Sequence, residues 1–155
     1  RKIVIFCYFV GMVDLIAESL TKNKIVNVSL HGQKTKEQER QPIVNRFNQD
    51  KDIQVLVTSD ILREGINIPS AEFIVNFDLL WNPRKIEQRI GRIDRINNPH
   101  KIINIVNIVC NDTIEMNMLD TINRKEKMNR EILDAGREEK SLTFRDIKSL
   151  FDLEH

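Results

Sequence analysis

Five short apolar runs, rich in Ile and Val, limit what this chain can fold into more than any other feature. They are residues 3–10 (IVIFCYFV), 25–30 (IVNVSL), 53–58 (IQVLVT), 73–77 (FIVNF) and 102–109 (IINIVNIV). Runs this short and nearly unbroken suit strands buried on both faces. Between them the apolar residues recur at helical spacing. Val13, Ile16, Ala17 and Leu20 do so after the first run, and Ile43, Val44 and Phe47 face inward from a segment at about 35–48. Pro42 interrupts that segment and predicts a kink or a restart. Pro83 opens a strong helix, through about residue 96, at the position where proline fits best. Strands alternating with helices predict an α/β fold, a parallel sheet of five or more strands with helices on both faces. Such a sheet places function at the carboxyl ends of its strands, so the loops after residues 9, 30, 58 and 78 are expected to share one functional edge.

The C-terminal part reads as helical. A long helix is predicted from 113 to about 134, stopping at Gly136. Thr143 and Asp146 suggest a capped short helix carrying Phe144, Ile147, Leu150 and Phe151. Residues 1–112 are therefore expected to form the α/β unit and 113–152 a helical extension packed on it. The charged stretch 124–140 reads as a solvated helix face. Leu153-Glu154-His155 resembles the stub of a cloning scar and poly-histidine tag. With Arg1 at a position where no initiator stands, the chain is expected to be one domain cut from something longer.

The 155 residues are 41% hydrophobic and 30% charged, which excludes a disordered chain, a collagen and a small disulfide scaffold. Lys and Arg number 24 against 23 Asp and Glu, so the net charge of +1 gives no bulk signal for nucleic acid, and any basic patch must be local. No apolar run approaches the roughly 18 residues that span a bilayer. Cys7 and Cys110 lie in apolar runs and are expected to be reduced, buried thiols of a cytoplasmic protein. No spacing of His, Cys, Asp or Glu supports a metal site.

Residues 83–96, PRKIEQRIGRIDRI, carry the strongest site signal. At about 100° per residue, Gln88, Arg92 and Arg95 fall within about 60° of one another, and Ile86, Ile90 and Ile93 cluster opposite. Gly91 adjoins the polar face at a cost of about 1 kcal/mol relative to Ala, which close approach of another surface or ligand would explain. Two arginines a turn apart form a fork for polyphosphate oxygens and can stabilise charge on a transferring phosphoryl group. The same pattern also suits a solvated amphipathic helix, with Glu87 and Asp94 pairing the charges.

The full string resembles known motifs. QRIGRIDR at 88–95 is similar to the sixth motif, Q-x-x-G-R-x-x-R, of superfamily 2 helicases and translocases. FDLLWNP at 77–83 resembles the Swi/Snf-type branch, which includes bacterial members that associate with RNA polymerase. TSDILREGINIP at 58–69 resembles the fifth motif and KIVIFCYFVGMVDLI at 2–16 the fourth. His31-Gly32 with Arg40 and Phe47 matches the segment between. The resemblance spans about residues 1–135 in the right order, departing at Asn97-Asn98, where that branch usually has Gly-Gln.

The resemblance implies a RecA-like lobe, the second of a two-lobe ATP-driven motor, with ATP and Mg2+ bound mainly by a first lobe that this chain lacks. It implies that Arg92 and Arg95 are catalytic arginine fingers and that Gly65, Asn67, Gln88, Arg92 and Arg95 line the nucleotide. Gly32, Arg40, Ser59 and Asp60 would form half of a nucleic-acid track, with duplex DNA the expected substrate. The residues themselves leave plainer readings open. These are Gly65 in an ordinary turn, Ser59 as a helix cap, His31 packed at a strand end, Arg40 as a solvated helix arginine, and Trp81 packed beside Pro83 instead of stacked on a base. No G-x-x-x-x-G-K-[ST] occurs and no acidic pair follows a strand, so the isolated chain is expected to be an inactive monomer without bound cofactor. The alternatives are a motor lobe of a restriction or phage-defence system and a nucleic-acid-binding module without hydrolysis.

Overall fold

The computed structural model describes residues 1–32, 34–59, 66–79, 83–93 and 102–110, with Glu115, Asp120 and Arg124 beyond them. The chain divides into two compact units, Arg1–Val109 and Cys110–His155. Every strand and helix with described bounds belongs to the first. The two helices expected after residue 112 lie almost wholly outside the described residues.

Five strands form one parallel sheet in the order β2-β3-β1-β4-β5: β1 (Ile3–Cys7), β2 (Asn27–Leu30), β3 (Val55–Ser59), β4 (Phe73–Asn76) and β5 (Asn104–Asn107). Each is shorter than the apolar run containing it. The first run leaves the sheet after Cys7, and Tyr8 and Phe9 emerge 53% and 64% exposed instead of buried. The last run forms an edge strand, so Asn104, Ile105 and Asn107 are exposed and only Val106 is buried. Cys110 follows that edge and is exposed, against expectation, whereas Cys7 is buried as expected.

Three helices cover the sheet: α1 (Val10–Lys22), α2 (Glu37–Gln49) and α3 (Pro83–Ile90). Crossing from β1 to β2 runs one way along the sheet; β2 to β3 and β4 to β5 run the other. Right-handed crossovers then put α1 on one face and α2 with α3 on the other. The packing agrees. Val4, Phe6, Leu30, Leu56 and Ile74 join Val44 and Phe47 of α2, and Ile93 after α3, in one buried cluster. Val13 of α1 is buried on the other face, where Ile3, Ile5, Val55 and Val57 alternate with those residues. Phe47 is fully enclosed; truncating such a ring to Ala costs about 3–5 kcal/mol.

Pro42 does not restart α2, which continues through it from Glu37 to Gln49. Both Pro42 and Gln38, whose carbonyl loses a donor, are exposed, so water can take the missing partner's place. The helix from Pro83 ends at Ile90, well short of residue 96. Past it, Arg92 and Ile93 donate to the carbonyls three residues back, at 3.2 and 2.9 Å, a tightened last turn. The Arg92 carbonyl then accepts from the Ile68 N–H at 3.0 Å, a tertiary partner where a continuing helix would have its own.

At the amino end of the sheet, Lys2 closes the structure. Its ammonium donates to the carbonyls of Phe47 at 2.6 Å and Ile53 at 2.8 Å, and to that of Asp50. It also lies 4.9 Å from the centre of the Phe47 ring. The last carbonyls of α2 thereby find a cation, which the helix dipole favours.

Candidate functional site

The strand register brings the carboxyl ends together as expected. Cys7 stands opposite Ser59, Leu30 opposite Thr58 and Phe6 opposite Asn76. Gly32 follows β2 with only His31 between them. Its turn is closed by the His31 N–H donating to Thr35 Oγ1 at 2.9 Å and the Thr35 N–H donating to the His31 carbonyl at 3.0 Å. Arg40, in the first turn of α2, is 9% exposed and no solvated helix arginine. It donates through Nη2 to the Gly32 carbonyl at 3.1 Å and through Nε to the Thr35 carbonyl at 3.4 Å. The guanidinium thus shapes the turn from behind.

His31 is buried, with Nε2 3.2 Å from Asp14 Oδ1 on α1. The other Asp14 oxygen pairs with Lys34. The Lys34 hydrogen bond, with the nearby His31 adding, holds the Asp14 carboxyl below its ordinary value of 3.8. His31 Nδ1 and Ser59 Oγ are buried without a hydrogen-bond partner. His31 lies one step beyond the Leu30–Thr58 pair, so the two orphaned atoms share one corner of the carboxyl edge. Buried polar atoms are seldom left so, and a ring nitrogen and a hydroxyl suit a phosphate or a bound water.

The nucleotide candidates form a second group, away from that corner. α2 runs from the carboxyl to the amino end, and Asn67 lies against its last turns, its carbonyl 3.4 Å from Asn48 Nδ2. The Ile68–Arg92 hydrogen bond joins the Asn67 segment to the turn after α3. Arg92 is half-buried, Gln88 exposed, and Asn67 Oδ1 buried without a partner. Asn67 and Arg92 are thus brought together, while Gly32, Arg40 and Ser59 gather elsewhere. Gly65, Asp60, Arg95 and Trp81 lie outside the described residues. Around Gly91, a Cβ would meet only the Glu87 and Gln88 carbonyl oxygens of α3 itself, at 3.3 and 3.8 Å, among the described residues. Among those residues no three His, Cys, Asp or Glu side chains group to hold a metal ion.

Arg89 is the residue that sequence reading passed over. It is 4% exposed, donates to Asn76 Oδ1 at 2.7 Å and lies 4.9 Å from the Phe6 ring centre. Asn76 Nδ2 donates onward to Asn107 Oδ1 at 2.7 Å. Its signal was weak: at about 100° per residue Arg89 falls about 40° outside the arc of Ile86, Ile90 and Ile93, between that arc and the polar face. Tyr8 and Phe9 were also missed as surface residues. Their rings meet edge to face at 5.1 Å, Lys85 Nζ lies 5.6 Å from the Tyr8 ring, and the Tyr8 N–H donates to Asp78 Oδ2 at 2.7 Å.

A parallel sheet flanked by helices, with a polar carboxyl edge and an arginine turn tied to a strand-connecting segment, defines a RecA-like lobe. The family described as helicase conserved C-terminal domain matches residues 1–97, and the chain belongs to it. An uncharacterized ATP-dependent helicase of Mycoplasma genitalium is 28% identical over 98% of this chain, which spans 15% of that protein. A probable ATP-dependent helicase of Plasmodium falciparum is 30% identical over 88% of this chain, which spans 6% of its length. Among solved structures, the C-terminal part of the Fun30 ATPase domain superposes with a TM-score of 0.72 at 24% identity, covering 94% of this chain and 42% of that one. The C-terminal domain of Saccharomyces cerevisiae Dbp5 gives 0.66 at 24% identity, covering 81% and 70%. Both share the fold.

Proposed function

We propose that this chain is the second motor lobe of an ATP-driven translocase of the Swi/Snf type, acting on duplex DNA and inactive without its first lobe. The observation that carries the reading is the pairing of Asn67 with Arg92 through the Ile68–Arg92 hydrogen bond. It sets an acceptor, Asn67 Oδ1, and a guanidinium on neighbouring turns. The residues fit a nucleotide held from the other side: Asn67 Oδ1 would accept from a ribose hydroxyl, and Arg92 would meet phosphate oxygens. ATP and its Mg2+ supply the reacting phosphoryl group and most of its charge neutralisation, on the first lobe. Arg92, with Arg95 beside it in sequence, stabilises charge that develops during transfer, and its planar fork keeps two donors aimed at once.

The carboxyl-edge corner is the proposed track. Gly32 offers backbone to a phosphate, braced from behind by Arg40, and Ser59 Oγ and His31 Nδ1 are the unspent polar atoms beside it. The FDLLWNP string supports the Swi/Snf assignment. The test is ATP hydrolysis by the two-lobe protein with Arg92→Ala and Arg92→Lys, each beside its melting temperature. The reading expects turnover lost in Ala and poorly restored by Lys, with ATP binding reduced far less. Near-full turnover in Arg92→Ala would sink it. A parent protein without any phosphate loop would favour a binding module instead.

A further inference from the structure

We propose that Asn48 is a positioning residue for ATP turnover, holding the 67–70 turn and, through Ile68, the turn that carries Arg92. Both ends of its amide are spent on one short segment. Ser70 Oγ donates to Asn48 Oδ1 at 2.6 Å, and Asn48 Nδ2 donates to the Asn67 carbonyl at 3.4 Å. The next residue along, Ile68, gives its N–H to the Arg92 carbonyl at 3.0 Å and accepts from the Ala71 N–H at 3.3 Å. Ile68, Ala71, Ile93 and Phe47 are all buried in one cluster, so α2, the turn and the arginine share a seat. Asn67 has its main chain anchored while Oδ1 stays buried without a partner. A side chain whose backbone is fixed and whose buried acceptor is unspent has room in its bonding for a ligand or a bound water.

The same helix reaches the other group. Arg40 in its first turn braces the Gly32 turn, and Asn48 in its last turn braces Asn67. Eight residues of helix separate them by about 12 Å. α2 therefore links the Gly32 turn to the Asn67 segment, with Arg40 at one end and Asn48 at the other. This rests on the reading of Arg92 and of the Gly32 corner given above.

The test uses the two-lobe protein that carries this chain, with Asn48→Asp, Asn48→Ala and Ser70→Ala. The Asp variant keeps the acceptor for Ser70 but sets an oxygen against the Asn67 carbonyl. Turnover with and without duplex DNA, the KM for ATP, the melting temperature and hydrogen exchange at the Ile68 amide are measured. The DNA-stimulated kcat is expected to fall about tenfold in Asn48→Asp, since small misplacements of a catalytic group cost up to about 10² in rate. The KM for ATP should change little, and the Ile68 amide should exchange faster at an unchanged melting temperature. Ser70→Ala should show a smaller loss in the same direction. Unchanged stimulated kcat in all three, or losses that track the melting temperature, would overturn the proposal. Arg92→Ala in parallel separates the failures. If it keeps turnover, the reading of the site fails; if it is dead while the Asn48 variants run at full rate, only this inference does.

Discussion

Arg89 and Arg92 stand three residues apart, yet the fold treats them in opposite ways. Arg89 is turned into the sheet, buried between the Phe6 ring and Asn76. Arg92 sits one turn later, beyond the last α-helical residue, half-buried and fixed by its backbone carbonyl. An arginine fixed through its main chain leaves its guanidinium available to a partner. The same contrast separates Arg40 and Lys2, which donate to main-chain carbonyls, from the unspent atoms of His31, Ser59 and Asn67.

The contrast breaks most visibly at Arg92. In the two-lobe protein, Arg92→Ala is expected to lower turnover by about 10³–10⁵ while shifting stability by only about 0.5 kcal/mol. A variant that unfolds the lobe would make Arg92 another Arg89. Arg89→Ala should do the reverse, costing about 2–4 kcal/mol, because it empties a buried volume and strips Asn76 Oδ1 of its donor. Urea unfolding of this chain measures that loss, and Arg89→Met should recover part of it by packing on Phe6. A midpoint unchanged in Arg89→Ala would show the buried guanidinium to be dispensable.

Lys2→Met should cost less, about 1–2 kcal/mol, because Lys2 and Asp50 are half-buried and water replaces part of what is lost. The same unfolding experiment checks it. The smallest effect belongs to Asp14. Its folded pKa is depressed, so its contribution is present above the ordinary value of 3.8 and is lost as pH falls through the lower folded value. Wild type and Asp14→Asn should therefore differ slightly in stability near neutrality and converge in acid. High salt should shrink the difference, since both partners of the Lys34 pair are exposed.

The sheet was legible because burial on both faces demands unbroken apolar runs, and the crossover rule orders what lies between them. Strand ends were not, because Tyr8 and Phe9 continue the apolar run while the backbone has already turned away toward α1. The shared edge of the Gly32 corner followed from the parallel topology. What topology could not say is that Asn67 and Arg92 meet away from that edge, since their meeting depends on a hydrogen bond between two segments about 25 residues apart. Of the polar face expected along 83–96, Gln88 is exposed on α3, Arg92 is half-buried in the turn beyond it, and Arg95 lies outside the described residues. Arg89 escaped because its helical angle lies between the isoleucines and the polar face, where spacing does not decide which way a long side chain turns. Pro42 was overweighted because a proline on the solvent side of a helix loses only a bond that water can replace.

The sheet order carries a consequence for how the chain is made. β1 leaves the ribosome before the other strands of this sheet, yet it pairs with β3 and β4, Ile3 standing against Val55 on one side and Phe73 on the other. Neither neighbour exists until long after it emerges. A nascent chain that stops short of Phe73 holds its most apolar strand with one side open, a ready template for the wrong partner. Closing so many residues into loops before those contacts form also predicts slow folding for a domain this small.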